Sequence, residues 1–135
     1  MIKILAVIVS ISIFSIFTST KNNIISSKNK LNTIQQTKKI DVPENIKAII
    51  DKSCVSCHST NGNMAKMHVN FDYIYNGKYK TEKLIKKLNS SAKSVEKGKM
   101  PTKRYITKNP DKAMSDAEKK AFINWAKTQA DKLSK

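Results

Sequence analysis

The sequence predicts a small, mainly α-helical domain, and three amphipathic segments are the basis of that prediction. In each segment apolar residues recur at helical spacing, and capping residues or glycine mark several of the ends. The chain of 135 residues has the length of one such domain plus a targeting segment. Leucines and aromatic residues are few, so the helices alone are expected to bury only a thin core.

Residues 1–20 are predicted to be a signal peptide or an N-terminal anchor. Lys3 gives a positive start, and the apolar run from Ile4 to Phe17 is interrupted only by serines. This run is shorter than the ~20 apolar residues that span a bilayer, which favours a cleaved secretory signal over a retained anchor. Either alternative places the remainder of the chain outside the cytoplasm, in the periplasm or an equivalent compartment. It is then soluble, or membrane-associated through its N-terminus.

Residues 21–40 are predicted to form a flexible tether, and residues 41–135 the folded domain. The tether is rich in Asn, Ser, Thr, Gln and Lys and contains no aromatic residue. Asp41 as an N-cap and Pro43 in the first turn mark the start of the first helix. This helix is expected to run into a cysteine motif, and its apolar residues are Ile46, Ile49 and Ile50.

The centre of the chain is expected to hold an aromatic segment followed by a second helix. Phe71, Tyr73 and Tyr75 alternate before an Asn-Gly pair, a pattern that fits a β-hairpin or an ordered aromatic loop equally well. Thr81 begins the second helix, and Gly98 ends it. The apolar stripe of this helix is predicted to be Leu84, Leu88, Ala92 and Val95.

The last helix has the clearest start signal. Ser115 and Glu118 are spaced as a capping box. The apolar residues that follow are Ala117, Ala121, Phe122, Trp125 and Ala126. Trp125 is expected to pack in the core.

Residues 54–58 read Cys-Val-Ser-Cys-His, the C-x-x-C-H sequence through which c-type haem is attached. On a helical turn the thiols of Cys54 and Cys57 face one side, where each can add to one vinyl group. His58 lies four residues after Cys54, so its imidazole falls on the same face and can reach the iron. The motif therefore predicts one covalent haem c, held by Cys54 and Cys57 with His58 as an iron ligand. Such a large apolar cofactor would also enlarge the thin interior.

Other uses of the two cysteines are possible but fit less well. A thioredoxin-like redox pair needs a strand–helix–strand setting, which the predicted elements lack. A zinc site needs four ligands, and the available ones are Cys54, Cys57, His58 and His68. A chance occurrence of the motif is the third alternative. A disulfide-rich scaffold is excluded, because both cysteines lie in this one motif.

Met100, which follows the second helix in a Gly-Lys-Met-Pro segment, is a candidate for the second axial ligand. A thioether from a loop favours reduced iron and raises the reduction potential, which suits electron transfer. The alternative is a methionine that fills a gap in the core. His68 is expected to be a hydrogen-bonding residue rather than a ligand. The remaining candidates are Met64, Met67 and Met114.

Several short pieces follow one another in order between Cys54 and Trp125. They are C-V-S-C-H-S at 54–59, His68-Val69, V-E-K-G-K-M-P at 95–101, Tyr105 and N-P-D-K-A-M-S-D-A-E at 109–118. In this order they resemble the bacterial haem-binding domain family of small mono-haem c-type cytochromes. The resemblance implies a cytochrome c-like helical domain packed around one covalently bound haem, with His58 and Met100 as axial ligands.

The chain departs from the family pattern in three places. The segment between the haem motif and His68 is short and lacks tryptophan. Asn109 stands where family members often have histidine, and Thr102 replaces a second proline after Met100. These departures leave the four predicted haem-site residues in place and affect the surroundings of the distal side.

Electron transfer by a mono-haem c-type cytochrome, without enzymatic activity, is the predicted function. An iron with two protein ligands has no open position for a substrate. The alternative is a peroxidase-like enzyme or a gas-binding or sensor module with an open distal site. For such an enzyme His68 is the remaining histidine that could serve as an acid or base.

The formal net charge of +16, from 26 Lys and Arg residues among few acidic ones, predicts anionic partners. Nucleic acid is not expected, because it conflicts with export. An acidic face on a redox partner protein is the predicted target of a basic docking surface. This surface consists of Lys97, Lys99, Lys103 and Arg104 around Met100, and Lys52 lies just before the haem motif. The lysine pairs at 38–39, 86–87 and 119–120 are expected to be solvated faces.

Overall fold

A computed structural model describes residues 37–135, so the predicted targeting segment and most of the predicted tether lie outside the described residues. Within this range the chain forms six α-helices and one 3-10 turn, with no β-strand. The mainly α prediction is therefore confirmed. The helices are α1 (Glu44–Ser53), α2 (Val55–His58), α3 (Phe71–Tyr75), α4 (Thr81–Glu96), α5 (Lys103–Lys108) and α6 (Asp116–Leu133), with the 3-10 turn at Pro110–Lys112.

The first two helices place the cysteine motif. α1 begins after Pro43, which occupies the N-cap position that the sequence suggested for Asp41. One face of α1 is buried through Ile46, Ile49 and Ile50. At Cys54 the backbone leaves the helical conformation with φ −124°, and α2 resumes at the next residue. The Cys54 N–H still donates to the Ile50 carbonyl at 2.8 Å, so the motif follows α1 directly.

A short helix, α3, occupies the aromatic segment for which the sequence suggested a hairpin or a loop. The Asn70 side chain caps it by accepting a hydrogen bond from the Tyr73 N–H at 3.3 Å. Phe71 and Ile74, three residues apart, are buried, whereas Tyr73 is exposed. The hairpin prediction is wrong because capping and burial at i, i+3 outweigh the alternation of three aromatic residues.

α4 and α6 form the largest contact between helices and build most of the core. α4 buries all four residues of its predicted stripe. α6 buries Phe122, Trp125, Ala126 and Ala130, whereas Ala117 in its first turn is exposed. Ala92 and Ala126 are completely buried, and such small side chains allow neighbouring helices to approach closely.

The start of α6 is held by the predicted capping box. The Glu118 N–H donates to the Ser115 hydroxyl at 3.2 Å, and the Ser115 N–H donates to the Glu118 carboxylate at 2.7 Å. The same carboxylate accepts a hydrogen bond from Lys52 Nζ at 2.6 Å. Glu118 therefore joins the N-terminus of α6 to the end of α1, immediately before Cys54.

The folded unit begins a few residues before position 41, which the sequence predicted as its start. Ile40 is buried in the core, and Thr37 forms an isolated bridge with Lys80. The Trp125 indole N–H donates to the Asp41 carbonyl at 3.2 Å, which joins this segment to α6. The last residues of the predicted tether are thus part of the folded unit. Between residues 37 and 135 no helix has both the length and the apolar character needed to cross a membrane.

Candidate functional site

A cleft is bounded by the cysteine motif, the segment before α3, and α4. It encloses about 610 Å³, which includes space open to solvent. This cleft is lined by Cys54, His58 and Met100. In the sequence, Met100 follows His58, the last residue of the motif, by 42 positions (100 − 58 = 42). Cys57, the fourth predicted site residue, is not among the lining residues. Apolar contributions to the walls come from Val69, Phe71 and Val95.

The imidazole of His58 is buried and has a defined hydrogen bond. Its Nδ1 lies 3.2 Å from the Val69 carbonyl oxygen. Because a carbonyl can only accept, Nδ1 carries the proton and Nε2 keeps the lone pair that a metal needs. Burial lowers the pKa of His58, and the bond to Val69 partly opposes this effect. The imidazole is therefore favoured in its neutral form, the form that can bind a metal.

Two aromatic rings contact the His58 imidazole edge to face. The Phe71 ring centroid lies 6.5 Å away at 88°, and the His68 ring centroid lies 6.2 Å away at 78°. Phe71 also contacts Phe122 of α6 at 6.3 Å, which ties the orientation of His58 to the core. His68 is exposed, and its neighbour Val69 meets the Nδ1 edge of His58. His68 also lines the cleft that contains Met100.

Both thiols of the motif are free and half-buried. Burial raises the pKa of the Cys54 thiol to about 12, with smaller contributions from Cys57 and Asp51. A protonated thiol is a poor redox nucleophile. Between residues 37 and 135, no group of three or more His, Cys, Asp or Glu side chains could hold a metal ion. The fold gives no support to the dithiol or zinc alternatives.

The turn after the motif requires glycine at position 62. A Cβ built on Gly62 would overlap the Cys57 carbonyl group, and it would also lie close to the His58 backbone nitrogen. The Cys57 carbonyl accepts a hydrogen bond from the Met64 N–H at 3.1 Å. The chain thus folds back against the backbone of the motif, and only glycine leaves the space for it.

The C-terminal end of α4 positions Met100. Gly98 adopts φ +62°, and its N–H donates to the Val95 carbonyl at 2.9 Å. The Lys99 N–H donates to the Ser94 carbonyl at 2.9 Å, which completes a Schellman motif. The Met100 N–H shares the Ser94 carbonyl at 3.2 Å. The half-buried side chain of Met100 is thereby held where α4 meets the cleft that contains His58.

The other methionines among the described residues are less suited to this cleft. Met64 does not line it, and Met114 is buried in the core at 6% exposure. Met67 does line it, but this side chain is 71% exposed to solvent. Of the sequence-predicted candidates for the second ligand, Met100 is the half-buried thioether that shares the cleft with His58.

A hydrogen bond that the sequence did not predict joins the motif to the segment after Met100. The hydroxyl groups of Ser56 and Tyr105 lie 2.8 Å apart, across 49 positions of sequence. Tyr105 belongs to α5, and its N–H donates to the Thr102 hydroxyl at 3.3 Å. Its carbonyl accepts from the Asn109 side-chain amide at 3.0 Å. Tyr105 was one of the matching sequence pieces, but nothing in the sequence indicates its partner.

One lysine of a predicted solvated pair lines the cleft. Lys86 is exposed as predicted, whereas Lys87 is half-buried and its Nζ donates to the Met67 carbonyl at 3.3 Å. The prediction is therefore wrong for Lys87, because adjacent residues of a helix face different directions. Three serines of α4 line the cleft beside Lys87: Ser90, Ser91 and Ser94.

Comparison with known proteins identifies one family. Residues 63–128 match the family described as the haem-binding domain. The matched segment contains His68, Met100 and Trp125 and begins shortly after His58, so the C-x-x-C-H motif adjoins it. No curated protein and no solved structure shows a significant match to the chain.

Proposed function

Because residues 63–128 of this chain match the haem-binding domain family, we propose that the protein is a mono-haem c-type cytochrome that carries electrons outside the cytoplasm. The observation that carries this proposal is the shared cleft. It brings Cys54 and His58 of the attachment motif together with Met100 of the matched segment.

The chemistry of the lining residues fits haem. Val69, Phe71 and Val95 provide apolar surface for the macrocycle. The thiol of Cys54 lines the cleft and that of Cys57 lies just outside the lining; both are free and could form thioether bonds. His58 would be one axial ligand through Nε2, since its Nδ1 is occupied by the Val69 carbonyl. Met100 would be the other, through its thioether. When bound, haem supplies a one-electron iron couple.

Each protein group has a distinct task in this proposal. The Val69 carbonyl and the Phe71 ring hold the His58 imidazole in one orientation. When haem is bound, the soft sulfur of Met100 would favour the reduced iron and raise the reduction potential. If His58 and Met100 both held the iron, no position would be left for a substrate, so electron exchange would be favoured over the peroxidase-like and gas-binding alternatives. The hydrogen bonds that hold the half-buried Met100 at the end of α4 support Met100 over the exposed His68 as the second ligand.

Optical spectroscopy of the purified protein tests the proposal. We expect haem to stay on the denatured wild-type polypeptide and to be absent when Cys54 and Cys57 are both replaced by Ala. The oxidised native protein should show the absorption of a ferric iron–methionine bond, and Met100→Ala should remove it. Met100→Ala should also lower the potential and admit carbon monoxide; Met67→Ala is the matched control. Rapid carbon monoxide binding by the wild type would instead support an open distal site.

The basic docking surface, formed by Lys97, Lys99, Lys103 and Arg104, is proposed to meet an acidic redox partner. All four side chains are exposed beside Met100. Opposite charges on two partners accelerate their encounter, most strongly at low ionic strength. Stopped-flow mixing with an acidic electron-transfer protein should show slower association for the double charge reversal Lys99→Glu and Lys103→Glu.

The matched control is Lys120→Glu with Lys132→Glu, because both lysines are exposed on α6, which does not line the cleft. The control carries the same change in net charge. Equal slowing by the two double variants would mean that net charge alone matters, and the docking surface would then be abandoned. A rate that does not fall with added salt would have the same consequence.

A further inference from the structure

α4 presents a polar face to a cleft whose other walls are largely apolar. We propose that Lys87, assisted by the serines of this face, binds the propionate carboxylates of the haem. This inference rests on the proposed function and adds to it the residues that recognise the charged edge of the cofactor.

The chemistry of the cofactor requires such a face. Haem is apolar over most of its surface but carries two carboxylates at one edge. A carboxylate in a partly dry cleft is unfavourable unless cationic groups or hydrogen-bond donors surround it. The apolar side chains of Val69 and Phe71, on the walls outside α4, offer neither, so the edge with the carboxylates is expected to face the polar side of α4.

Among the described residues that line the cleft, Lys87 is the only lysine or arginine. Its Nζ contacts the Met67 carbonyl at 3.3 Å, which uses one of its three N–H donors. Two donors therefore stay available on the same ammonium group. The side chain is half-buried, so a carboxylate that meets it there is screened less than at an open surface.

Three serines on the same side of α4 as Lys87 add hydrogen-bond donors along the helix. Positions 87, 90, 91 and 94 fall on one side of α4, because residues three and four apart are neighbours on a helix. Ser90, Ser91 and Ser94 all line the cleft, and none of their hydroxyl groups has a side-chain partner within residues 37–135. Each hydroxyl is therefore available as a donor to a carboxylate oxygen.

Three variants of the haem-loaded protein test the inference. Lys87→Gln removes the charge, Lys87→Arg keeps it, and Lys86→Gln makes the same charge change on the exposed neighbour. Redox titration gives the reduction equilibrium, and resonance Raman spectroscopy gives the propionate vibrations. We expect Lys87→Gln to favour ferric iron by up to about tenfold. Tenfold is ~59 mV for a one-electron couple. Lys87→Gln should also shift the propionate bands, whereas Lys87→Arg and Lys86→Gln should resemble the wild type.

A variant at other positions keeps the test valid if Lys87→Gln fails to fold. Ser91→Ala with Ser94→Ala leaves the charge unchanged and should still shift the propionate bands. Unchanged bands in this double variant and in Lys87→Gln would overturn the inference, as would equal effects at Lys86 and Lys87. A wild-type polypeptide without haem would instead overturn the proposed function, so the two failures are distinguishable.

Discussion

Replacing Tyr105 with Phe removes one hydroxyl and tests whether its bond to Ser56 holds the segment that carries Met100. The two oxygens are 2.8 Å apart, near the ideal distance for such a bond. Because both side chains are partly exposed, water can replace the lost partner. The expected net loss is therefore about 0.5–1 kcal/mol, in the lower part of the usual range. That loss makes an open arrangement of the segment roughly two to five times more populated.

The effect should reach Met100 because the connection is short and ordered. Thr102 caps α5 by accepting a hydrogen bond from the Tyr105 N–H at 3.3 Å, so Tyr105 is fixed relative to the preceding residues. The assay is imidazole binding to the oxidised, haem-loaded protein, in which imidazole competes with the proposed Met100 ligand. Tyr105→Phe should increase the apparent affinity for imidazole by about two- to fivefold.

A double-mutant cycle with Ser56→Ala separates this bond from other effects of the substitutions. Each single variant should have about the same effect, and the double variant should have little more. Tyr73→Phe is the matched control, since Tyr73 is exposed on α3 and does not line the cleft. Additive effects, or an affinity unchanged in Tyr105→Phe, would refute the idea that the Ser56–Tyr105 bond restrains Met100.

Urea denaturation should show that Gly62→Ala loses about 1–3 kcal/mol, because the new Cβ overlaps the Cys57 carbonyl. Gly98→Ala, whose Cβ meets open space, should lose only about 1 kcal/mol through its positive φ; equal losses would contradict this difference. The hydrogen bond from Lys52 lowers the pKa of Glu118 below its ordinary value of 4.5. The associated stabilisation, about 0.5–1 kcal/mol, is complete above that value and is lost as pH falls through the lowered pKa. Glu118→Gln should therefore lose less stability on acidification than the wild type, and parallel stability–pH curves would argue against it.

The two long helices could be predicted because their signals are local. The apolar stripe of α4 and the capping box of α6 both lie within one helix, and both are observed. The aromatic segment was harder, because Phe71, Tyr73 and Tyr75 are too few to distinguish strand from helix by period alone. Asn70, the capping residue that favours the helix, was the overlooked signal.

The contacts of the candidate site were not predictable in the same way. The Val69 carbonyl contacts His58 because the chain turns back to the motif shortly after it. Tyr105 contacts Ser56 because the chain returns to the motif again after α3 and α4. Lys87 is a different case, since its position could have been derived. Each residue turns a helix by about 100°, so with Leu84 and Leu88 buried, Lys87 flanks the apolar stripe and Lys86 lies opposite it.

The same helix therefore connects the core to the candidate site. α4 packs against α6 through its apolar stripe, which fixes how the helix is rotated about its axis. That rotation determines that the face with Lys87 and Ser91 lines the cleft. The last turn of α4 then places Met100 through the Schellman motif at Gly98. Packing against α6 fixes the rotation of α4 and therefore the position of Lys87. The capping motif fixes the direction in which the chain leaves α4 and therefore the position of Met100. Both proposed haem contacts thus depend on the one interface between α4 and α6.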